Sequence, residues 1–420
     1  MDISSQVQHI KVSEGVELYA LKTGHEGMVQ LKLIRPGGEL YCQENRELSR
    51  AYASMLDQGS KQRSRDEWAQ YSDVLGANIG FDYDEFRQVG LARCLSEDAP
   101  KMVQALLEQS LNPLFPKDHW TMVRSRLLGS LDQLKDDTKT QAMIKLLQSF
   151  YPEQHPHYSL SIEKSMEMIQ SISQQDLMSY HQKIGACLPW VIFAVGDVNV
   201  NQLKEVLTRE IKKVDMRSVG KLKVKSHVNS DVKGQYHVEL KEKSSTDVYL
   251  AQPVGIGRDH PDYLSLMLGI YCLGGNFSAR LMRTVRDVEG LTYGVYSGLT
   301  GVNDNLEGYW YVHGTFAPNL LDKGCSSVMK QVMKWYQEGV SEEECHHRKE
   351  GLIGRYWVGM SSIRGLLNAL SRNVVQGLGV EYMDQYPQLI QGIRQEDVNR
   401  CIRQYISPDQ LVKFSSGSMH

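Results

Sequence analysis

The feature that most constrains this chain is an ungapped internal repeat. Ile172-Ser173-Gln174-Gln175-Asp176-Leu177 runs on to Trp190-Val191-Ile192-Phe193-Ala194-Val195-Gly196. Ile393-Arg394-Gln395-Glu396-Asp397-Val398 runs on to Gln410-Leu411-Val412-Lys413-Phe414-Ser415-Ser416-Gly417. Asp and Phe stand 17 residues apart in both copies, and the copies are offset by 221. Each copy reads as an N-capped helix followed by a short strand. The first strand is a buried-type run, whereas the second alternates polar and apolar residues. Weaker echoes keep the same order: Leu75-Gly76-Ala77-Asn78 with Gly290-Leu291-Thr292-Tyr293, Ala99-Pro100 with Ala317-Pro318, and Leu127-Leu128-Gly129 with Leu352-Ile353-Gly354. A chain built this way is two copies of one unit.

At 420 residues the chain also exceeds what one core usually organises. Strands are expected at 16–23 and 28–35, where Val29, Leu31 and Leu33 alternate with Gln30 and Lys32. The chain turns at Pro36-Gly37-Gly38 and enters helices near 45–57 and 64–75. Strands follow near 78–94, then helices near 98–110, 117–135 and 138–150, the helix–strand repeat, and a helix at 200–213. The second half repeats this from Tyr236 onward. The stretch 214–235 is basic, rich in Ser, Val and Gly, and lacks a sustained apolar face, which marks a linker. The expected organisation is an N-terminal half over 1–215, the linker, and a C-terminal half over 236–420. The fold class is α+β: two homologous halves, each an antiparallel-rich sheet with helices packed on one face.

Net charge is -3, without the basic bias of a nucleic-acid binder. Apolar runs such as Trp190–Val195 are too short to span a bilayer. Met1-Asp2-Ile3-Ser4-Ser5 has neither a basic nor an apolar leader region, so the expectation is a soluble protein, cytoplasmic as the chain stands and periplasmic if a leader has been removed. Seven cysteines are scattered without a C-x-x-C and read as buried or free thiols.

Two stretches carry a family resemblance that covers nearly the whole chain. The first is Leu56-Asp57-Gln58-Gly59-Ser60-Lys61-Gln62-Arg63-Ser64-Arg65-Asp66-Glu67, ending at Leu75-Gly76-Ala77. It resembles the insulinase/pitrilysin (inverzincin) metallopeptidases, whose zinc helix precedes this stretch and carries H-x-x-E-H. That spacing puts two His on one helical face with Glu as general base. The aligned residues here are Arg50-Ala51-Tyr52-Ala53-Ser54. The resemblance thus implies that Arg50 and Ser54 replace the ligands and that Ala53 replaces the base. The family's third ligand, a Glu, aligns near Ser130-Leu131-Asp132, where no Glu stands. No metal or other cofactor is expected on this chain, and zinc only in a partner subunit.

The second stretch is Leu273-Gly274-Gly275-Asn276-Phe277-Ser278-Ala279-Arg280-Leu281, then Val285-Arg286 through Gly290-Leu291-Thr292-Tyr293-Gly294-Val295. It resembles the family's C-terminal half, including an Arg-x6-Tyr pair that reaches a zinc site in the other half or subunit. Attack of zinc-bound water on an amide puts negative charge on the carbonyl oxygen. A Tyr hydroxyl can donate to that oxygen, and an Arg can orient the substrate backbone. Arg286 and Tyr293 are the implied catalytic pair. A helix ending after Arg286, a terminator at Gly290 and a strand from Leu291 would bring them to one surface. Gly274, Gly275 and Asn276 are a secondary substrate-contact position, and equally a sharp turn.

Other features have simpler readings. His346-His347-Arg348-Lys349-Glu350-Gly351 lacks the second His and reads as a solvated helical face. His155-Pro156-His157 reads as a loop rather than a chelate. Glu342, Glu343 and Glu344 suit a helix start after Ser341. Tyr309-Trp310-Tyr311-Val312 is a strand with aromatics on both faces. The resemblance implies a non-catalytic subunit of a zinc peptidase acting on peptides, paired with a zinc-bearing homologue as a heterodimer or with itself as a homodimer. A structural or peptide-binding scaffold is the alternative.

Overall fold

The structure is a computed structural model that describes every residue except Met1, His25, Glu26, Gln43, Lys221, Lys223, Lys225, Ser226, Met419 and His420. The first half runs β1 (Val7–Ser13), β2 (Val16–Lys22), β3 (Met28–Pro36), α1 (Glu47–Ala53), α2 (Arg65–Val74), β4 (Asn78–Tyr83) and β5 (Arg87–Leu95). It continues with α3 (Ala99–Leu111), α4 (Lys117–Lys135), α5 (Thr138–Phe150), α6 (Ile162–Ser171), α7 (Gln174–Ile184), β6 (Cys187–Leu188), β7 (Trp190–Gly196) and α8 (Val200–Ile211). The second half runs β8 (Arg217–Ser218), β9 (Gln235–Glu239), β10 (Thr246–Pro253), α9 (Tyr263–Gly274), a π-helical segment (Met282–Val288), β11 (Val295–Thr300) and β12 (Tyr309–Phe316). It closes with α10 (Leu321–Glu338), α11 (Glu342–Gly359), α12 (Ile363–Val375), α13 (Tyr382–Gly392), α14 (Gln395–Tyr405) and β13 (Val412–Gly417).

The two main sheets have one topology. The first is ordered β1-β2-β7-β3-β5-β4 and the second β11-β12-β10-β13-β9. Read from the other edge, β9-β13-β10-β12-β11 matches β2-β7-β3-β5-β4 strand for strand. The repeated strand pairs parallel with the strand that opens the shared five-strand pattern, β7 with β2 and β13 with β9, and the other pairs of the two main sheets are antiparallel. β1 is an addition to the first sheet.

The repeated helix differs in how it starts. Ser173 caps α7 in a capping box with Asp176. Arg394 stands at the start of α14 with no side-chain cap, and its Nε instead bonds Asp397 at 2.8 Å. The N-cap expected of the second copy is therefore an ion pair, because an arginine side chain carries no acceptor. The polar residues of β13, Ser415 and Ser416, are buried like their counterparts in β7.

The chain forms two compact units that exchange segments. One comprises residues 1–131, 163–223 and 357–385, the other 132–162, 224–356 and 386–420. In the first unit Val16, Leu18, Val29, Leu31, Leu33 and Ile192 pack with Met102, Leu106, Leu203 and Leu207 of α3 and α8. The opposite sheet face, across β3 and β7, takes α12 from the second half of the chain. Lys32 Nζ donates to Asn368 Oδ1 at 2.9 Å and Ser371 Oγ at 3.0 Å on that helix.

In the second unit Val248, Leu250, Trp310 and Val312 pack with Leu266, Val328, Val332, Trp335 and Ile402. The opposite face, across β10 and β13, takes α5 from the first half: Ala142, Leu146 and Phe150 lie on Tyr249, Tyr309 and Phe414. The aromatics of β12 thus split between two cores. α5 and α12 are each the third helix before the repeated strand, so the exchange is reciprocal.

Of the linker expected at 214–235, residues 221, 223, 225 and 226 lie outside the described residues. Arg217–Ser218 pairs parallel with Cys187–Leu188, and the boundary between units falls at 223/224. All seven cysteines are unpaired, and all but Cys325 are buried. No helix among the described residues is long and apolar enough to cross a membrane.

Candidate functional site

Helix α1 carries the positions where the resemblance places a zinc motif. Arg50 Nε donates to the Tyr83 hydroxyl at 2.6 Å, and its Nη1 lies 3.2 Å from Glu47 Oε2. Burial disfavours the Arg50 charge, but Glu47 and Tyr83 outweigh it and hold the guanidinium firmly protonated. One turn earlier, Arg46 pairs with Glu39 at 2.6 Å. Ala53 is buried and Ser54 is the helix C-cap. A fixed guanidinium repels a divalent cation, and neither alanine nor a lone serine hydroxyl replaces an imidazole or a carboxylate as ligand. Asp132 pairs with Lys135 at 2.9 Å. Among the described residues no three His, Cys, Asp or Glu side chains cluster to hold a metal. The residues at this helix do not fit a zinc ion.

Beneath α1 lies a buried chain that no motif announced. Arg35 Nη2 donates to the Tyr52 hydroxyl at 2.9 Å, and that hydroxyl is 2.9 Å from His181 Nδ1. His181 Nε2 lies 3.1 Å from the Leu111 carbonyl, which can only accept, so Nε2 carries the proton and Nδ1 accepts from Tyr52. Burial, reinforced by the Arg35 charge, pushes the His181 pKa down to about 4. His181 stays neutral and acts as a connector between α7, α1 and the end of α3.

Arg286 and Tyr293 are set differently from expectation. The helix continues past Arg286 to Val288, and the chain is turned back by Leu291 N to Val285 O at 2.9 Å and Gly290 N to Arg286 O at 3.0 Å. Gly290 takes φ +64°, as its terminator role requires. The strand begins at Val295 and not at Leu291. Thr292 is the reason: its Oγ1 accepts from Gly294 N at 3.1 Å and donates to Thr315 O at 2.5 Å, which fixes a turn where a strand was expected.

Arg286 is partly exposed, with its guanidinium 5.2 Å from the Phe277 ring centroid. Tyr293 is 96% exposed, and no side-chain hydrogen bond is formed by it among the described residues. Phe277, Val288 and Tyr296 are exposed too.

Gly274 and Gly275 are explained by packing. Neither has a positive φ. A Cβ on Gly274 would stand 2.6 Å from Ser297 N, and one on Gly275 would stand 2.1 Å from the Tyr271 ring. The end of α9 lies directly against β11, so the sharp-turn reading gives way to close approach. Asn276 Oδ1 accepts from Ser278 N and Ser278 Oγ, each at 3.0 Å.

The other sequence features take structural places. His346 pairs with Glu350 at 3.3 Å on an exposed helix face. His155 stacks on Tyr151, and His157 Nε2 is 2.9 Å from the Gly301 carbonyl. Ser341 Oγ accepts from Glu344 N at the start of α11, and Glu344 grips Arg280 through two guanidinium nitrogens. Sequence reasoning did not anticipate the buried pair of Asp247 and His313, 2.7 Å apart. Thr138 of α5 and Thr315 also donate to Asp247.

Residues 171–352 match the family profile described as the peptidase M16 inactive domain. A non-peptidase homologue from Helicobacter pylori, YmxG, is 24% identical over 381 residues, which is 90% of this chain and 86% of that protein. A solved peptidase M16 inactive domain from Pseudomonas fluorescens has the same fold, with TM-score 0.87 at 23% identity over 99% of this chain and 98% of that one. The periplasmic protease PqqL of Escherichia coli contains the fold within a longer chain: TM-score 0.80 at 14% identity, over all of this chain and 46% of PqqL. The chain is thus similar to inactive-domain homologues of the peptidase M16 family over residues 171–352, and it shares the fold of solved members over nearly its whole length.

Proposed function

We propose that this chain is the non-catalytic subunit of a zinc endopeptidase, supplying Arg286 and Tyr293 to a homologous partner that carries H-x-x-E-H. The observation that carries the reading is Tyr293. A phenol 96% exposed, with no hydrogen bond to its own chain among the described residues, is unusual for structural use and suits a donor to a group outside the chain. Arg286 lies in the π-helical segment that precedes the Tyr293 turn, its guanidinium against Phe277 rather than buried in an ion pair. PqqL supports the arrangement, since the length of this chain takes less than half of that protease and leaves room for a second such unit in one polypeptide. Here the second unit would be a separate chain, and substrates would be peptides or flexible segments able to enter between the two.

The test mixes the purified chain with an M16 homologue bearing H-x-x-E-H. Hydrolysis of an unstructured peptide should need both proteins and should fall by an order of magnitude or more with Arg286→Ala or Tyr293→Phe. Tyr293 is exposed and Arg286 half-buried, so Tyr293→Phe should keep full fold stability and a thermal melt checks Arg286→Ala. Unchanged activity in the mixture would sink the proposal. The name of the Helicobacter pylori relative favours a second reading, a peptide-binding scaffold without a part in proteolysis. That reading predicts peptide binding and no hydrolysis with any zinc-bearing partner.

A further inference from the structure

The face of the first sheet that carries α12 also holds cations the chain does not neutralise. Lys32 of β3 lies opposite Leu91 of β5, and Gln30 lies opposite Arg93, so Lys32, Leu91 and Arg93 share one face. It is the face away from α3 and α8, because Leu31, Leu33 and Ala92 point into that core. On α12, Arg364, Asn368 and Arg372 stand four residues apart in one exposed row. Lys32 Nζ bonds Asn368 and Ser371, which sets its ammonium at the middle of that row.

Burial and the charges of Arg364 and Arg372 all disfavour the Lys32 ammonium. The Arg93 guanidinium touches Met28 Sδ at 3.8 Å. None of Lys32, Arg93, Arg364 and Arg372 pairs with a carboxylate among the described residues. Two strand acids share this sheet face, and a third, Glu381 just beyond α12, acts on Tyr19 of the same face. Glu17 is engaged by His9 and Tyr19, and Asp82 stands on the outer strand opposite Val89.

This concentration runs against the chain's net charge of -3. Beside it, Leu91 and Leu95 are 39% and 48% exposed on β5. Leu91, Arg93 and Leu95 alternate along one strand face, a spacing of about 7 Å between successive side chains. A lone phosphate has no use for an apolar strip of that period, whereas a polypeptide with acidic and apolar side chains does.

We propose that this face is a docking site for an acidic polypeptide segment. Its carboxylates would meet Lys32, Arg93, Arg364 and Arg372, and its apolar side chains would cover Leu91 and Leu95. The site stands whether or not the chain works with a zinc-bearing partner. Like charges held together without an internal anion repel one another, and an incoming carboxylate relieves that repulsion.

The experiment is fluorescence anisotropy on the purified full chain, with a labelled peptide alternating Glu and Leu and a second peptide with Gln for each Glu. The Glu peptide should bind at low ionic strength, the Gln peptide should not, and binding should weaken steeply with added salt. Arg364→Glu with Arg372→Glu should weaken it about tenfold or more, the size expected of reversing two exposed charges in low salt. Lys204→Glu with Lys330→Glu, the same change of net charge elsewhere on exposed helices, should leave it within about twofold. Thermal melts of both double variants should match the parent. Equal binding of the Gln peptide, equal loss in both double variants, or displacement of the peptide by an equal concentration of tripolyphosphate would each overturn the proposal.

Discussion

Arg50 Nε and the Tyr83 hydroxyl are joined by a 2.6 Å hydrogen bond that ties helix α1 to the outer strand β4. Burial pushes the Tyr83 pKa up to about 12, so it stays a neutral acceptor for the guanidinium. Arg50, where the resemblance expects a metal ligand, is in this structure a cross-brace. Arg50→Ala should destabilise the protein by about 2 kcal/mol, because it leaves the buried Glu47 carboxylate without its cation. Adding Glu47→Gln should recover part of that loss. Urea denaturation of the parent, the single and the double variant checks both, and an additive double variant would remove the pair from the explanation.

Asp247 fastens α5 to the second sheet. Desolvation would raise its pKa, but hydrogen bonds from His313, Thr138 and Thr315 outweigh it, and the carboxyl is held below the ordinary range. Its contribution is therefore full above the unfolded carboxylate value and is lost as pH falls through the lower folded value. Asp247→Ala should cost about 3 kcal/mol at neutral pH and progressively less in acid. Hydrogen exchange should speed up across 138–150 before the rest of the chain. Exchange that rises evenly everywhere would contradict a local fastening.

His181 supplies a separate pH signature. Its folded pKa is about 4 against 6.5 in the unfolded chain, so between these values the unfolded state binds more protons. Stability should fall as pH drops from 6.5 to 4, by about 3 kcal/mol in all, and this contribution should flatten below 4. His181→Gln should be less stable at pH 7 yet show a shallower acid slope. Urea midpoints at several pH values for both proteins give the comparison, and parallel slopes would assign the acid loss to other groups.

Gly274→Ala tests the packing of α9 on β11. The added methyl would sit 2.6 Å from Ser297 N, which is backbone and cannot rotate away. A cost of about 2 kcal/mol or more is expected. Gly290→Ala meets nothing within 4 Å and bears only the strain of φ +64°, so it should cost about 1 kcal/mol. Equal effects at the two sites would mean that the helix end moves freely away from the strand.

Much of this architecture could be read from local pattern. Val29, Leu31 and Leu33 do point into one core, and Ser64 with Glu67 forms the capping box that starts α2. Strand β1 escaped notice because none of Val7–Ser13 is buried, so no alternation marks it. Helix α6 has Ile162, Met166 and Ile169 at helical spacing, but the Pro152–Tyr158 loop just before it blurs its start.

At the candidate site, Arg50, Ala53 and Ser54 offer no set of metal ligands, which their residue types alone make plain. The turn at Thr292 was not, since it depends on a bond to Thr315 across the sheet. The Asp247–His313 pair and the row on α12 depend on contacts 66 and more than 330 residues apart in sequence, which no local spacing records.

The exchange of α5 and α12 has a consequence for how such a chain can be divided. Split between 214 and 235, each fragment would keep its own sheet but surrender the helix that covers that sheet's outer face. Each fragment would then display aromatic or aliphatic surface shaped for the other's helix, such as Tyr249 and Phe414 for Phe150. The two pieces are mutual ligands, each carrying the helix the other's sheet requires. Zinc chemistry can vanish from such a duplicate one side chain at a time, but the borrowed helices have to stay.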